Sequence, residues 1–177
     1  RSDTPQMKTT ITPEDAQVMG LKSGIEIHQQ LQGKKLFCSC PTELRDDKPD
    51  YIVTRYLRAS AGEGGAIDQA TLAETKKLKF YRYEGYEDTT CLVELDEEPP
   101  GPVNRQALTS TLQIAKLFGM HVVDQLRFMR KTVVDGSNTS GFQRTGLVAS
   151  GGRLPENSGF QVRVDSICLE EDVCKKV

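Results

Sequence analysis

Pro99-Pro100-Gly101-Pro102-Val103-Asn104 breaks the chain, and Arg105-Gln106-Ala107-Leu108-Thr109-Ser110-Thr111-Leu112-Gln113-Ile114-Ala115-Lys116-Leu117-Phe118-Gly119 restarts it as a helix. Prolines are excluded from helix interiors, so the helix begins after them, and Asn104 supplies the side-chain oxygen that caps its first N–H groups. Ala107, Leu108, Leu112, Ala115 and Phe118 form one apolar stripe, and Gly119 ends the element. This is the clearest helix of the sequence, and what surrounds it reads as strand. Downstream, strands are expected at 122–130, 146–150 and 160–169, with Gly151-Gly152 as the turn between the last two. Upstream, strands are expected at 51–58, at Phe80-Tyr81-Arg82-Tyr83 and at Cys91-Leu92-Val93. Residues 33–50 are turn-rich, Gly62-Glu63-Gly64-Gly65 is a loop, and Asp68 caps a modest helix through Leu72, Ala73 and Lys76. The class is therefore α+β, mainly antiparallel sheet with few helices.

Near the start, Thr12-Pro13-Glu14-Asp15 combines an N-cap hydroxyl, a proline at the first helical position and two acids in the first turn, which predicts a short helix at 13–19. The run 22–31 then alternates, with Leu21, Ile25 and Ile27 set against Glu26, His28 and Gln30. That pattern predicts a strand with the glutamate and histidine on one face.

Composition narrows the classes of function. The chain has 177 residues, with 23 basic against 25 acidic and a formal net charge of -2, so it is no general polycation coating nucleic acid. Apolar residues make up 37%, low enough to suggest surface covered by something else. Neither a run of about 18 apolar residues nor a secretory signal is visible, and the expected compartment is the cytoplasm, without membrane contact. Five cysteines at irregular spacing argue against a disulfide framework. Arg1 in place of Met, and an ending at Lys175-Lys176-Val177 without a cap, suggest a piece of a longer protein.

Four groups of residues carry candidate chemistry. Glu26 and His28, with Glu170 or Glu171 at the end of the last strand, have the oxygen and imidazole ligands of a magnesium site, although a solvated strand face and an acidic strand end account for the same residues. Cys38 and Cys40 with Cys91 and Asp88 would make a three-sulfur, one-carboxylate zinc set, or four residues with no common role. Glu94, Asp96, Glu97 and Glu98 read as a solvated acidic loop. In Arg130-Lys131-Thr132-Val133-Val134-Asp135-Gly136-Ser137-Asn138-Thr139-Ser140-Gly141-Phe142-Gln143-Arg144, small hydrogen-bonding residues lie between cations, which suits a phosphate or nucleotide as well as a polar hairpin loop. It is not a Walker loop, because Phe142-Gln143 stands where Lys-Ser/Thr is required. His121 follows the helix end and reads as a carbonyl cap.

Gly24-Ile25-Glu26-Ile27-His28-Gln29-Gln30-Leu31, Lys35-Leu36-Phe37-Cys38-Ser39-Cys40-Pro41, residues 88–100, residues 129–145 and Ile167-Cys168-Leu169-Glu170-Glu171-Asp172 occur in an order that resembles the archaeal glutamyl-tRNA(Gln) amidotransferase family of E subunits, GatE, a relative of the bacterial B subunits, GatB. The resemblance runs from about residue 20 to the last. It implies that 1–19 is an extension with a short helix and that 20–177 is the N-terminal part of a cradle-shaped catalytic domain.

It further implies an ATP-dependent ligase that phosphorylates the γ-carboxylate of Glu-tRNA(Gln) and amidates it with ammonia. The ammonia would come from an asparaginase-like partner, the D subunit, in a heterotetramer. Glu26, His28, Glu170 and Glu171 would then be catalytic and magnesium-binding, and Lys131, Ser137, Asn138, Thr139, Ser140 and Arg144 would contact ATP or the aminoacyl end. The bacterial relative pairs its C-x-C with a C-x-x-C, whereas here Asp88 stands in the first position of the second pair. The sequence also allows two rivals: a noncatalytic acidic docking module and a metal-dependent phosphoesterase.

Overall fold

The computed structural model describes residues 10–22, 24–56, 69–76, 80–132, 142–154 and 162–172. The expected loop at 62–65, the Asp68 cap and the polar stretch from Val133 to Gly141 lie outside these residues. The chain divides into two compact units, Arg1–Gln30 and Leu31–Val177.

In the first unit, helix α1 (Pro13–Val18) starts where the sequence places it. Thr12 and Asp15 exchange hydrogen bonds as a capping box, Asp15 N–H to Thr12 Oγ1 at 3.2 Å and Thr12 N–H to Asp15 Oδ2 at 3.1 Å. Gly20 closes the element at φ 65. The strand expected at 22–31 does not form: its described residues make no ladder, and Ile25 and Ile27 are 90% and 84% exposed. Alternation gives a run two faces, but a strand also needs a neighbour to accept its backbone groups.

The second unit opens with a loop, 33–42, whose isolated bridge Lys34↔Pro41 bends Leu36 and Phe37 into the core. Strands β1 (Tyr51–Tyr56) and β2 (Phe80–Gly85) pair antiparallel with Tyr51 opposite Gly85, and helix α2 (Gln69–Lys76) lies between them in sequence. Then come α3 (Arg105–Leu117), β3 (His121–Val122), β4 (Phe128–Thr132), β5 (Phe142–Arg153) and β6 (Arg163–Asp172). In the four-stranded sheet β5 is central: β6 pairs along one edge, and β4 and β3 pair with its first and last parts along the other.

Helix α3 packs on β3, β5 and β6, where Ala115 and Ala149 are fully buried. Small side chains on both partners let helix and sheet approach closely. Leu36, Phe37, Val93, Val148 and Leu169 form the main core. Among the described residues, no helix is long and apolar enough to cross a membrane.

Three further expectations need correction. The single strand at 122–130 is two short strands flanking an irregular piece. Cys91-Leu92-Val93 is the start of a turn, closed by Asp96 N–H to Val93 O at 3.2 Å and Glu97 N–H to Leu92 O at 2.9 Å. Gly151-Gly152 lies inside β5 rather than in a turn, and a side chain at Gly152 would meet Met120 Cγ at 2.3 Å and Phe118 O at 2.8 Å. Gly152 serves a close approach of the helix end to the strand, whereas Gly151 supplies a backbone at φ 68.

Candidate functional site

The turn at 91–96 has side chains in two polar clusters. In the first, Lys35 N–H donates to Cys40 O at 2.8 Å, which tightens the loop and brings Cys38 and Cys40 together. Cys91 adds its thiol. Its N–H donates to Glu94 Oε2 at 2.6 Å, and the Cys38 thiol donates to Glu94 Oε1 at 2.8 Å. One ligand atom from each of Cys38, Cys40, Cys91 and Glu94 lies within 4.8 Å of all the others. Glu94 is 3% exposed, and Lys35 Nζ stands 3.7 Å from it.

Burial, with help from Glu94, pushes the Cys38 and Cys91 thiols up. Burial also pushes Glu94 up, but the Cys38 thiol, the Cys91 N–H and Lys35 outweigh it and hold the carboxyl below its usual range.

Asp88, expected as the fourth member, stands outside this group. Arg45 holds both of its oxygens at 2.7 and 2.6 Å, and its side chain is 64% exposed. Glu94 takes the expected place. Tetrahedral zinc with Zn–S bonds of about 2.3 Å sets its ligand atoms roughly 3.8 Å apart, so three thiols and a buried carboxylate in this arrangement fit the ion.

The second cluster is set by register. Arg130 of β4, Arg144 of β5 and Glu171 of β6 lie directly opposite one another across the sheet. Arg144 donates to Glu171 Oε1 at 2.5 Å and to Val93 O at 3.0 Å. Asp96 accepts from Arg130 at 2.7 Å on each oxygen and from Arg55 at 3.0 Å, with Arg144 Nη2 3.7 Å away. Burial pushes the Asp96 carboxyl up, but Arg130 and Arg55 hold it down at about 2. Glu171 goes the other way: burial outweighs Arg144 and raises it. Its Oε2 is buried without a well-formed hydrogen bond.

Consecutive strand residues face opposite sides of a sheet. Glu170 and Glu171 therefore face opposite sides of β6. Glu170 is half-buried and accepts from Thr145 Oγ1 at 3.1 Å, whereas Glu171 turns inward to Arg144.

Glu26 and His28 belong to the first unit, where His28 Nε2 stands 3.1 Å from Glu26 Oε1 and both side chains are exposed. Of the residues expected to contact ATP, Lys131 is exposed on β4 and Arg144 is buried, while Ser137, Asn138, Thr139 and Ser140 lie outside the described residues. Sequence reasoning read Glu94 and Asp96 only as a solvated acidic loop and Arg130 only as a cation flanking the polar stretch. Glu94 had one usable signal, its place three residues after Cys91.

Residues 21–177 match the GatB/GatE catalytic domain, and the chain belongs to that family. Among curated relatives, it is 51% identical to the E subunit of glutamyl-tRNA(Gln) amidotransferase from Methanococcus vannielii over 92% of this chain and 26% of that protein. The protein of the same name from Pyrobaculum arsenaticum is 53% identical over 92% of this chain and 27% of its own length. For Methanocaldococcus jannaschii the figures are 54%, 90% and 25%. The chain thus spans about a quarter of the length of these relatives.

Proposed function

We propose that this chain is part of the catalytic subunit of a cytoplasmic, tRNA-dependent amidotransferase that turns Glu-tRNA(Gln) into Gln-tRNA(Gln). The observation that carries the reading is the family match over 21–177, with relatives of that name 51–54% identical.

The chemistry needs two steps. A γ-carboxylate oxygen attacks the γ-phosphorus of ATP, the bond to the β,γ-bridging oxygen breaks, and ADP leaves. Ammonia then attacks the carbonyl carbon of the acyl phosphate, the bond to the phosphate oxygen breaks, phosphate leaves, and the nitrogen loses a proton. Activation is required because a free carboxylate has no good leaving group, and phosphoryl transfer between anions requires compensating positive charge. Magnesium supplies that compensation when bound.

Glu26 and His28 are the proposed magnesium-binding group of the first unit. In the second, Glu170 is the more accessible acid, and Glu171 is held by Arg144. Lys131 and Arg144, with Ser137, Asn138, Thr139 and Ser140, are proposed to contact ATP. Ammonia would come from an asparaginase-like D subunit in a heterotetramer. Zinc is proposed as a structural ion on Cys38, Cys40, Cys91 and Glu94, where it would tie the 38–40 loop to the 91–94 turn.

The test uses a protein of full natural length carrying this sequence, with its partner, ATP and Glu-tRNA(Gln). His28→Ala and Glu26→Gln are each expected to lower kcat by about a hundredfold or more while the protein stays folded. Wild-type rates in both variants would remove the pair from the chemistry.

A further inference from the structure

The turn at 91–96 sends its polar groups to two places. Cys91 and Glu94 belong to the thiol–carboxylate group, while the Val93 carbonyl and the Asp96 carboxylate accept from the arginines of the sheet. Six consecutive residues thus serve both clusters. The turn is closed on itself by Leu95 N–H to Cys91 O at 3.4 Å, along with the bonds from Asp96 to Val93 and from Glu97 to Leu92. Val93, Glu94 and Leu95 are all buried, so close packing leaves the turn little room to deform at one end alone.

Each end is held by a different set of partners. At the first, Glu94 accepts from the Cys91 N–H and the Cys38 thiol. At the second, Asp96 is held by Arg130 and Arg55 at φ 58, a conformation that costs a non-glycine residue backbone energy and persists where surrounding contacts over-determine it. A second connection runs beside the turn. Phe37, adjacent to Cys38 in sequence, meets edge to face at 4.8 Å the ring of Phe128, which lies two residues before Arg130 on β4.

We propose that the 91–96 turn couples metal binding at Cys38, Cys40, Cys91 and Glu94 to the placement of Arg130 and Arg144. The conformation that presents Cys91 and Glu94 to a metal is the one that aims Val93 O and Asp96 at the two guanidinium groups, so each favours the other. Val93 and Asp96 are positioning residues in this scheme. The metal rests on the zinc assignment under Proposed function, and the use of Arg144 in the reaction rests on the amidotransferase reading; the coupling itself rests on the turn.

Coupling between sites is reciprocal, so the arginine contacts must help the metal as much as the metal helps them. The probe is cobalt, titrated at fixed pH into this chain in its reduced form and followed by its thiolate charge-transfer and visible bands. Arg130→Gln and Asp96→Asn alter no ligand, yet each is expected to weaken cobalt binding about fivefold or more. Arg130→Gln separates coupling from bulk charge. Deleting a cation near the site would strengthen binding of a dication if charge alone mattered, whereas loss of the turn's anchor weakens it. In the other direction, the guanidinium N–H signals of Arg144 in NMR should be resolved in the cobalt-free, zinc-loaded chain and broaden when a chelator removes the zinc.

Unchanged or tighter cobalt binding in Arg130→Gln, or Arg144 signals indifferent to chelation, would overturn the coupling. Arg130→Gln, at a partly exposed position, decides it if Asp96→Asn does not fold. Wild-type chain without cobalt bands would remove the metal and the coupling together. Neither measurement involves ATP, tRNA or turnover. A failure here with active full-length enzyme sinks the coupling alone, and an enzyme that never uses ATP sinks the wider reading.

Discussion

Asp96 joins side chains from β1, β4 and the turn, and its carboxyl titrates at about 2 against an unfolded value near 3.9. A folded value below the unfolded one means stability that is fully present above about pH 4 and is lost as the pH falls through 2. Asp96→Asn should therefore lower stability at neutral pH and flatten its decline between about pH 4 and 2 in a series of urea unfolding curves. A parallel decline in both proteins would show that the guanidinium contacts add nothing. At the same scale, Glu94 and Asp88 give opposite expectations for metal. Cobalt added to the reduced chain should produce thiolate charge-transfer and tetrahedral visible bands. Glu94→Gln should alter the visible bands, and Asp88→Asn should not, because Arg45 already holds Asp88 outside the thiol group. Asp88 suggested itself from its spacing to Cys91. Glu94 has the same spacing on the other side, but it sits within a run of acids that reads as solvated loop, and only the fold shows it 3% exposed.

The elements that were legible in the sequence carry their own local signals. Asn104 accepts from the N–H groups of Gln106 and Ala107 at 2.9 and 3.3 Å, and its amide reaches Lys34 O at 2.8 Å, so one residue caps α3 and ties it to the 33–42 loop. Asn104→Ala should cost about 1 to 2 kcal/mol in denaturant titrations. The fold departs from the strand expected at 22–31, the strand at Cys91 and the turn at Gly151-Gly152 for one shared reason: alternation and glycine pairs are local, while pairing and close approach are tertiary. Gly152 shows the difference, since what it accommodates is Met120 and the Phe118 carbonyl, more than thirty residues away. Gly152→Ala should destabilise the sheet by roughly 1 to 3 kcal/mol, seen as a lower unfolding midpoint at unchanged m-value.

At the scale of the whole chain, the second unit has its own core on Leu36, Phe37, Val93, Val148 and Leu169. A net charge of -2 gives no reason for tight binding to a polyanion, and this chain alone should bind tRNA more weakly than micromolar in a gel shift at physiological salt. The α+β class and the grouping of Cys38, Cys40 and Cys91 were visible in the sequence, whereas the place of Glu94 beside them, the partition of Glu170 and Glu171 to opposite faces and the hub on Asp96 depended on the fold and its strand register. The most direct test of the amidotransferase reading is ATP consumption and Gln-tRNA formation by a protein of full natural length carrying this sequence, with its ammonia-donating partner and Glu-tRNA(Gln). The account predicts one ADP released for each Gln-tRNA(Gln) made, and neither without charged tRNA. No ATP consumption in the complete mixture would contradict it.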